Sequence, residues 1–453
     1  MMSDLRTKRE LLTIGGHSVE RTACGRLRET CERVVHPSGL VILRLPKQMT
    51  QSYAMLVVRF GAQDTAFEVN GKQYKTPDGV AHFLEHKLFA RPDGSDVNEH
   101  FSALGAEANA WTTYDKTAYL FSTAEDPGAA LAVLLDFVYH PHFTPDNVAH
   151  ERGIIREEIM MGEDDPWQRL YEQTMRAMYR DHPIRRRICG TVSSIEKITD
   201  EVLNECYRHF YRPDNMYLVV CGNIDMADVL SAVDVAMESR PADMALRRIE
   251  RCSFDELPTV GMRRVSARAN VTQPLFQIAV KDTVIPTDPY ERLRRETAMN
   301  LLSEVLFSRA SNFYNGLFER GLITPGYSYG YSTTLGAAYH ALAGETDDPE
   351  AVWLAYLDTI ERARREGLDR EEVERYRRVL YASLVSEFDF PEDIADLICE
   401  SEGNGVGVFD SLRAIDEITY EEVCALLRDG FDELSTTLSI LYPQEDNKDK
   451  EDL

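Results

Sequence analysis

The two halves of this chain carry the same order of strand-like and helix-like segments, displaced by 218 to 225 residues. Residues 300–307 can be laid over residues 82–89 so that Leu306 and Phe307 fall in step with Leu88 and Phe89. Further on, Asp369, Val373, Arg377, Val379 and Leu380 keep step with Thr144, Val148, Arg152, Ile154 and Ile155. A repeat of that length is a duplicated domain rather than a stacked solenoid unit. The chain's 453 residues also exceed what one core usually supports, so two domains of one design are expected.

The coarse element order follows from residue pattern. Residues 40–43 and 53–60 read as neighbouring strands, and a helix begins after Pro77-Asp78-Gly79. A strand over 109–121 comes next, then helices launched by Asp126-Pro127, by Thr144 and by Asp165-Pro166, and another over 200–210. The apolar run 217–221 closes the half as a buried strand, and 275–280 opens the second sheet. Gly326 to Tyr331 alternates aromatic with small residues, as a strand with one aromatic face would. The expected division is α+β: one domain over 1–237, a polar linker over 238–270, a second domain over 271–442, and an acidic tail over 443–453.

Chemistry is concentrated in the first half. In His82-Phe83-Leu84-Glu85-His86, a spacing of four places two imidazoles on one helix face, one turn apart, as two ligands of one metal require. Glu85 stands beside both, where it could act as general base on a water whose pKa a zinc ion lowers. The order H-x-x-E-H is the inverzincin signature. The pentapeptide alone is short enough to arise by chance, and a third ligand lowers that chance. On the helix opened by Thr144 and Pro145, Glu151 and Glu158 are nearly two turns apart and share a face, whereas Glu157 points about 100° away. Glu158 is therefore the expected third ligand, and Glu151 the residue that orients a ligand or water from behind.

Composition limits the partners. Lys and Arg total 50 against 76 Asp and Glu, a formal net charge of −26, which argues against nucleic acid or an anionic membrane. The 8 cysteines contain no C-x-x-C pair, the first residues lack an apolar signal core, and no run approaches the length of a membrane span. A cytoplasmic, reduced protein is expected. His140 and His142 flank Pro141, and His182 precedes Pro183; loop or cap roles are expected for them rather than ligation.

These motifs, with Ala108-Asn109-Ala110-Trp111-Thr112, Thr117, Tyr119, Glu151-Arg152, Glu157-Glu158-Ile159, Tyr211, Pro213, Asn215 and Met216, resemble the pitrilysin or insulinase family of zinc peptidases, which includes the mitochondrial processing peptidases. The resemblance covers the whole first half and, more loosely, the second. It implies two homologous α+β domains, each a mostly antiparallel sheet packed by helices. It also implies one zinc per chain held by His82, His86 and Glu158, with Glu85 activating water. Asn109, Ala110, Trp111 and Thr112 would lie on an edge strand to which an extended peptide adds main chain to main chain. The implied activity is hydrolysis of short or unstructured peptides. A leader-peptide or precursor-processing protease and a non-catalytic scaffold subunit are the alternatives.

One departure from the family stands out. Its members usually carry an Arg and a Tyr at fixed spacing that steady the substrate carbonyl and the oxyanion. Here Phe318 stands where the Arg is expected, and Arg320 with Tyr327 restores the spacing only by a shift of register. Either these two have taken over the role or the pair comes from another chain. The second account resembles bacterial members that work as pairs, a zinc-bearing subunit with a related metal-free one that supplies Arg and Tyr; a homodimer is the other arrangement.

Overall fold

The computed structural model describes residues 7–240, 248–252 and 254–444. Its strands are β1 (Thr7–Ile14), β2 (His17–Cys24), β3 (Glu29–Val35), β4 (Val41–Pro46), β5 (Ser52–Val58), β6 (Ala66–Val69), β7 (Lys72–Lys75), β8 (Ala106–Thr112), β9 (Thr117–Thr123), β10 (Met216–Gly222), β11 (Ile249–Arg251), β12 (Arg264–Ala269), β13 (Leu275–Lys281), β14 (Ser328–Thr334), β15 (Ala337–Glu345) and β16 (Thr436–Pro443). The helices are α1 (Val80–Leu88), α2 (Val97–Ala103), α3 (Pro127–Tyr139), α4 (Pro145–Asp164), α5 (Pro166–Met178), α6 (Val192–Ile195), α7 (Asp200–Phe210), α8 (Met226–Ser239), α9 (Pro289–Phe307), α10 (Asn312–Phe318), α11 (Pro349–Glu366), α12 (Arg370–Ser386), α13 (Pro391–Asn404), α14 (Asp410–Glu417) and α15 (Tyr420–Asp429).

The duplication is visible in strand pairing. The first sheet runs β1-β2-β3-β4-β10-β5-β9-β8 and the second β12-β16-β13-β15-β14. In the first, β4 pairs parallel with β10, and β10, β5, β9 and β8 continue antiparallel. The second repeats this with β12 parallel to β16, then β13, β15 and β14 antiparallel. The central strands β5, β10 and β13 are buried along their whole length, which is why their sequences are apolar runs rather than alternations.

Helix starts follow the anticipated chemistry. Asp126 accepts from the Ala129 amide at 3.0 Å, Asp165 from the Trp167 amide at 2.8 Å, and Thr144 and Asn147 cap one another reciprocally at 3.2 and 3.0 Å. Residues 40–43 and 53–60, by contrast, are not neighbours, because β10 inserts between β4 and β5. The single strand expected over 109–121 is a hairpin of β8 and β9. Its turn is closed by the Thr113 amide donating to the Lys116 carbonyl at 2.8 Å and by Thr113 Oγ1 donating to Asp115 at 2.8 Å.

The chain divides into two compact units, and they are not contiguous halves. The first comprises the chain up to Ile159, Arg187–Cys252 and Ala382–Arg413; the second comprises Met160–Arg186, Ser253–Tyr381 and the chain from Ala414 on. The contiguous division at 237 and 271 is thus corrected by two exchanges. Helix α13, from the second half of the chain, packs on β10 and β5, where the Tyr217 hydroxyl donates to the Cys399 carbonyl at 3.0 Å and Lys116 meets Glu400 at 2.9 Å. Helix α5, from the first half, packs in the same way on β16 and β13. Each sheet needs an apolar cover on the helix-free part of its face, and the equivalent helix of the other half supplies it. The stretch expected as a linker also carries structure, since β11 pairs with β6 and β12 with β16. Residues 241–247 and 253 of that stretch, and 445–453 of the expected tail, lie outside the described residues.

The core of the second unit contains an unusual group. His340 on β15 is buried between Phe307 and Phe431, with ring centroids 5.3 and 5.6 Å away, and neither of its ring nitrogens has a hydrogen-bond partner among the described residues. Burial drives its pKa down from 6.5 to about 3. The unfolded chain takes up that proton near pH 6.5 and the folded chain near 3, so protonation favours unfolding. The stability is complete above about pH 6.5 and is lost as the pH falls, by roughly 5 kcal/mol at the acid limit. His340→Phe is expected to flatten the fall of thermal unfolding midpoint between pH 6.5 and 4; parallel curves for variant and wild type would refute this role.

Candidate metal centre

Helix α1 is aimed by a crossing of two backbones. Gly79 precedes it at φ +92°, and a Cβ there would lie 2.5 Å from the Cys189 carbonyl oxygen. Gly190, at φ +76°, faces back, where a Cβ would lie 2.5 Å from the Asp78 carbonyl oxygen. Only glycine permits both the left-handed backbone and the approach. Ser194 Oγ donates to the Asp78 carbonyl at 2.8 Å and fixes the same turn. From there Val80, Ala81, Phe83, Leu84 and Leu88 sink into the first core, which sets the azimuth of His82 and His86.

Helix α4 brings the third donor. Its Val148, Ile155 and Ile159 are buried, and Glu158 projects beside both imidazoles. His82 Nε2 lies 3.3 Å from one Glu158 oxygen and His86 Nε2 lies 3.5 Å from the other. For metal bonds of about 2.0–2.2 Å, tetrahedral ligands stand roughly 3.3–3.5 Å apart, so the donors are already at coordinating separation. Glu158 is 40% exposed, which leaves one side of the cluster open. Nitrogen and carboxylate donors of this kind with an open position suit zinc.

The surroundings hold this arrangement. Glu151 accepts from His86 Nδ1 at 3.2 Å and meets Lys87 Nζ at 3.6 Å, which leaves Nε2 of His86 facing Glu158. Burial depresses the pKa of His86, but the Glu151 hydrogen bond and the charges of Glu85, Glu158 and Glu151 outweigh it, and the net shift is upward. The hydrogen bond to His82 pulls the Glu158 carboxyl below its usual value against a smaller effect of burial. Burial raises Glu151, yet His86 and Lys87 bring it below its ordinary value.

Glu85 is buried and accepts from Thr112 Oγ1 at 2.5 Å. Thr112 in turn lies 3.2 Å from Thr117 Oγ1, which donates to the Phe60 carbonyl at 2.9 Å. This ties one oxygen of the Glu85 carboxylate. Sequence placed Thr112 only on a substrate strand; its tie to Glu85 needs the fold, because 27 residues separate them. Thr112→Val, which keeps the shape and removes the donor, is expected to lower peptide hydrolysis about 10-fold with metal content unchanged, as kcat and zinc analysis would show.

Strand β8 is the edge of its sheet, as anticipated for residues 109–112. Asn109 is exposed, Trp111 half-buried, and Asn109 and Ala110 line a cavity of about 840 Å³ that also reaches Glu85 and His86. His142 and His150 line it too. The Pro turn around His142 hid that position from sequence reasoning, while His140 caps α3 through its contacts with the carbonyls of Asp136 and Ser239. Tyr119 and Tyr211 join hydroxyls at 2.7 Å in the buried layer, a structural use of two motif residues.

Arg320 and Tyr327 belong to the second unit. Arg320 is exposed in the turn after α10. Tyr327 is buried against Phe313, Tyr314 and Tyr329, and its hydroxyl has no hydrogen-bond partner among the described residues. That enclosure makes Tyr327 a core residue, and the expectation that it offers its hydroxyl to substrate is corrected. No described helix is long and apolar enough to cross a membrane.

Comparison with known proteins agrees with this geometry. The family described as Insulinase (Peptidase family M16) matches residues 47–192, and the Peptidase M16 inactive domain matches residues 197–380. The chain is 35% identical over 406 residues to the uncharacterized zinc protease YmfH of Bacillus subtilis, covering 88% of this chain and 93% of that one. It is 26% identical over 439 residues to an uncharacterized zinc protease of Streptomyces coelicolor, covering 92% and 91%. Among solved structures, an M16-like peptidase from Alicyclobacillus acidocaldarius superposes with a TM-score of 0.88 at 30% identity, covering 98% of this chain and all of the other. Pitrilysin superposes with a TM-score of 0.72 at 17% identity, covering 97% of this chain and 47% of its own, a likeness of fold.

Proposed function

Because the chain belongs to the insulinase family, peptidase family M16, we propose that it is a zinc-dependent endopeptidase acting on short or unstructured peptides laid along the edge of β8. The observation that carries this reading is Glu85, held by Thr112 at 2.5 Å beside three converging metal donors. His82, His86 and Glu158 would hold the zinc, which would supply the Lewis acidity that makes a water nucleophilic near neutral pH. Glu85 takes the proton of the attacking water and delivers it to the leaving amine. The free main-chain edge of β8 binds substrate through its own amides and carbonyls, which tolerates many side chains, while the cavity at Asn109 and Ala110 receives a side chain.

A purely structural subunit has no use for a carboxylate pinned beside two imidazoles, which favours catalysis over a scaffold role. The enclosed Tyr327 hydroxyl supports the further reading that the oxyanion donors come from a related metal-free chain. Metal analysis paired with a quenched fluorescent peptide assay tests the central claim. Zinc should co-purify, chelation should abolish cleavage, and added zinc should restore it. Cleavage that survives complete removal of metal would end the proposal.

A further inference from the structure

A second group of metal-type donors lies outside α1 and α4. His17 opens β2, His36 follows β3, and Asp234 lies on α8, all within the first unit. His36 Nε2 stands 2.9 Å from one oxygen of Asp234, and His17 Nε2 stands 3.6 Å from the other. The imidazoles stack with centroids 5.3 Å apart and planes at 26°, so both ring edges face one carboxylate. We propose that His17, His36 and Asp234 form a second divalent-cation site, suited to zinc, with solvent completing the coordination.

A simple His–Asp hydrogen bond accounts for His36 and leaves His17 unexplained. Its 3.6 Å separation from Asp234 is longer than a hydrogen bond, yet 2.9 and 3.6 Å bracket the roughly 3.3 Å between tetrahedral ligands of a zinc ion. The positions are rigid. His17 follows the two-residue Gly15-Gly16 turn, where both glycines have positive φ, and β1 and β2 pair from Ile14 with His17 onward. His36 is 5% exposed, and Ser38 Oγ lies 2.8 Å from its Nδ1.

A cation on Nε2 requires the imidazole proton on Nδ1, and Ser38 Oγ is placed to accept it. The Ser38 amide, 3.1 Å from Nδ1, is the contact that gives way. Asp234 is 49% exposed, which provides the path of entry and room for water. Two imidazoles and one carboxylate select zinc, or nickel and copper(II), over calcium and magnesium. The site shares no residue with the His82, His86 and Glu158 cluster.

The test uses the full chain carrying His82→Ala and His86→Ala, so that the first cluster no longer binds. Zinc is measured by competition with a chromophoric chelator, and cobalt(II) by its visible absorption. About one equivalent of each should remain bound. Adding the exposed change Asp234→Asn should weaken zinc at least about 10-fold, and adding His36→Gln should remove it, with far-ultraviolet circular dichroism unchanged. Absence of zinc from the His82→Ala, His86→Ala chain at micromolar free metal would overturn the proposal, as would zinc affinity unaffected by Asp234→Asn.

Discussion

Glu85→Gln is expected to retain zinc and to lose peptide hydrolysis by about 10²–10⁴-fold. The substitution keeps the size of the side chain and removes its basicity. Glu85 is not among the converging donors, so metal content should match the wild type. The contact with Thr112 at 2.5 Å passes to the amide, which limits any structural change. His86→Ala, by contrast, should lose the zinc held with His82 and Glu158, and activity with it. The two variants thus separate proton transfer from metal binding. Hydrolysis by Glu85→Gln within about 10-fold of the wild type would remove Glu85 from the chemistry.

Turnover by the purified chain is expected to rise by about 10²-fold or more when the related metal-free chain is added, because that is the usual value of oxyanion donors. The prediction rests on Tyr327, whose hydroxyl is closed off by Phe313, Tyr314 and Tyr329. Arg320→Ala in this chain should then change little, since its exposed guanidinium stands alone where a pair is needed. A chain fully active by itself, and inactivated by Arg320→Ala or Tyr327→Phe, would show that the donors are internal. Titration of activity against the added chain gives the stoichiometry.

Much of the candidate metal centre is legible in the sequence because helical geometry is local. His82 and His86 are one turn apart, and the 3.6-residue period alone chose Glu158 over Glu157; the structure brings Glu158 within 3.3 and 3.5 Å of the two imidazoles. What was not legible depends on partners distant in sequence. Nothing in residues 41–58 announces that β10 will separate β4 from β5. The hairpin within 109–121 looks like one strand in sequence because its turn, Thr113 to Lys116, contains neither Gly nor Pro. The role of Thr112 and the enclosure of Tyr327 are likewise set by packing. Local amphipathicity shows that α5 and α13 each have an apolar face, and it is silent on which sheet that face covers.

That last exchange has a consequence for how such a chain can be cut. A fragment ending near Ser239 would present β10 and β5 without α13, leaving Tyr217, Lys116 and Arg59 without the Cys399 carbonyl, Glu400 and the Gly403 carbonyl that they bind. The complementary fragment would lack α5 over β16 and β13. Neither half is a self-sufficient folding module, although each carries a whole copy of the duplicated strand order. A nick between the halves should leave the pieces associated through many native contacts, and a single-copy ancestor could have closed its sheet only by trading this helix with a twin.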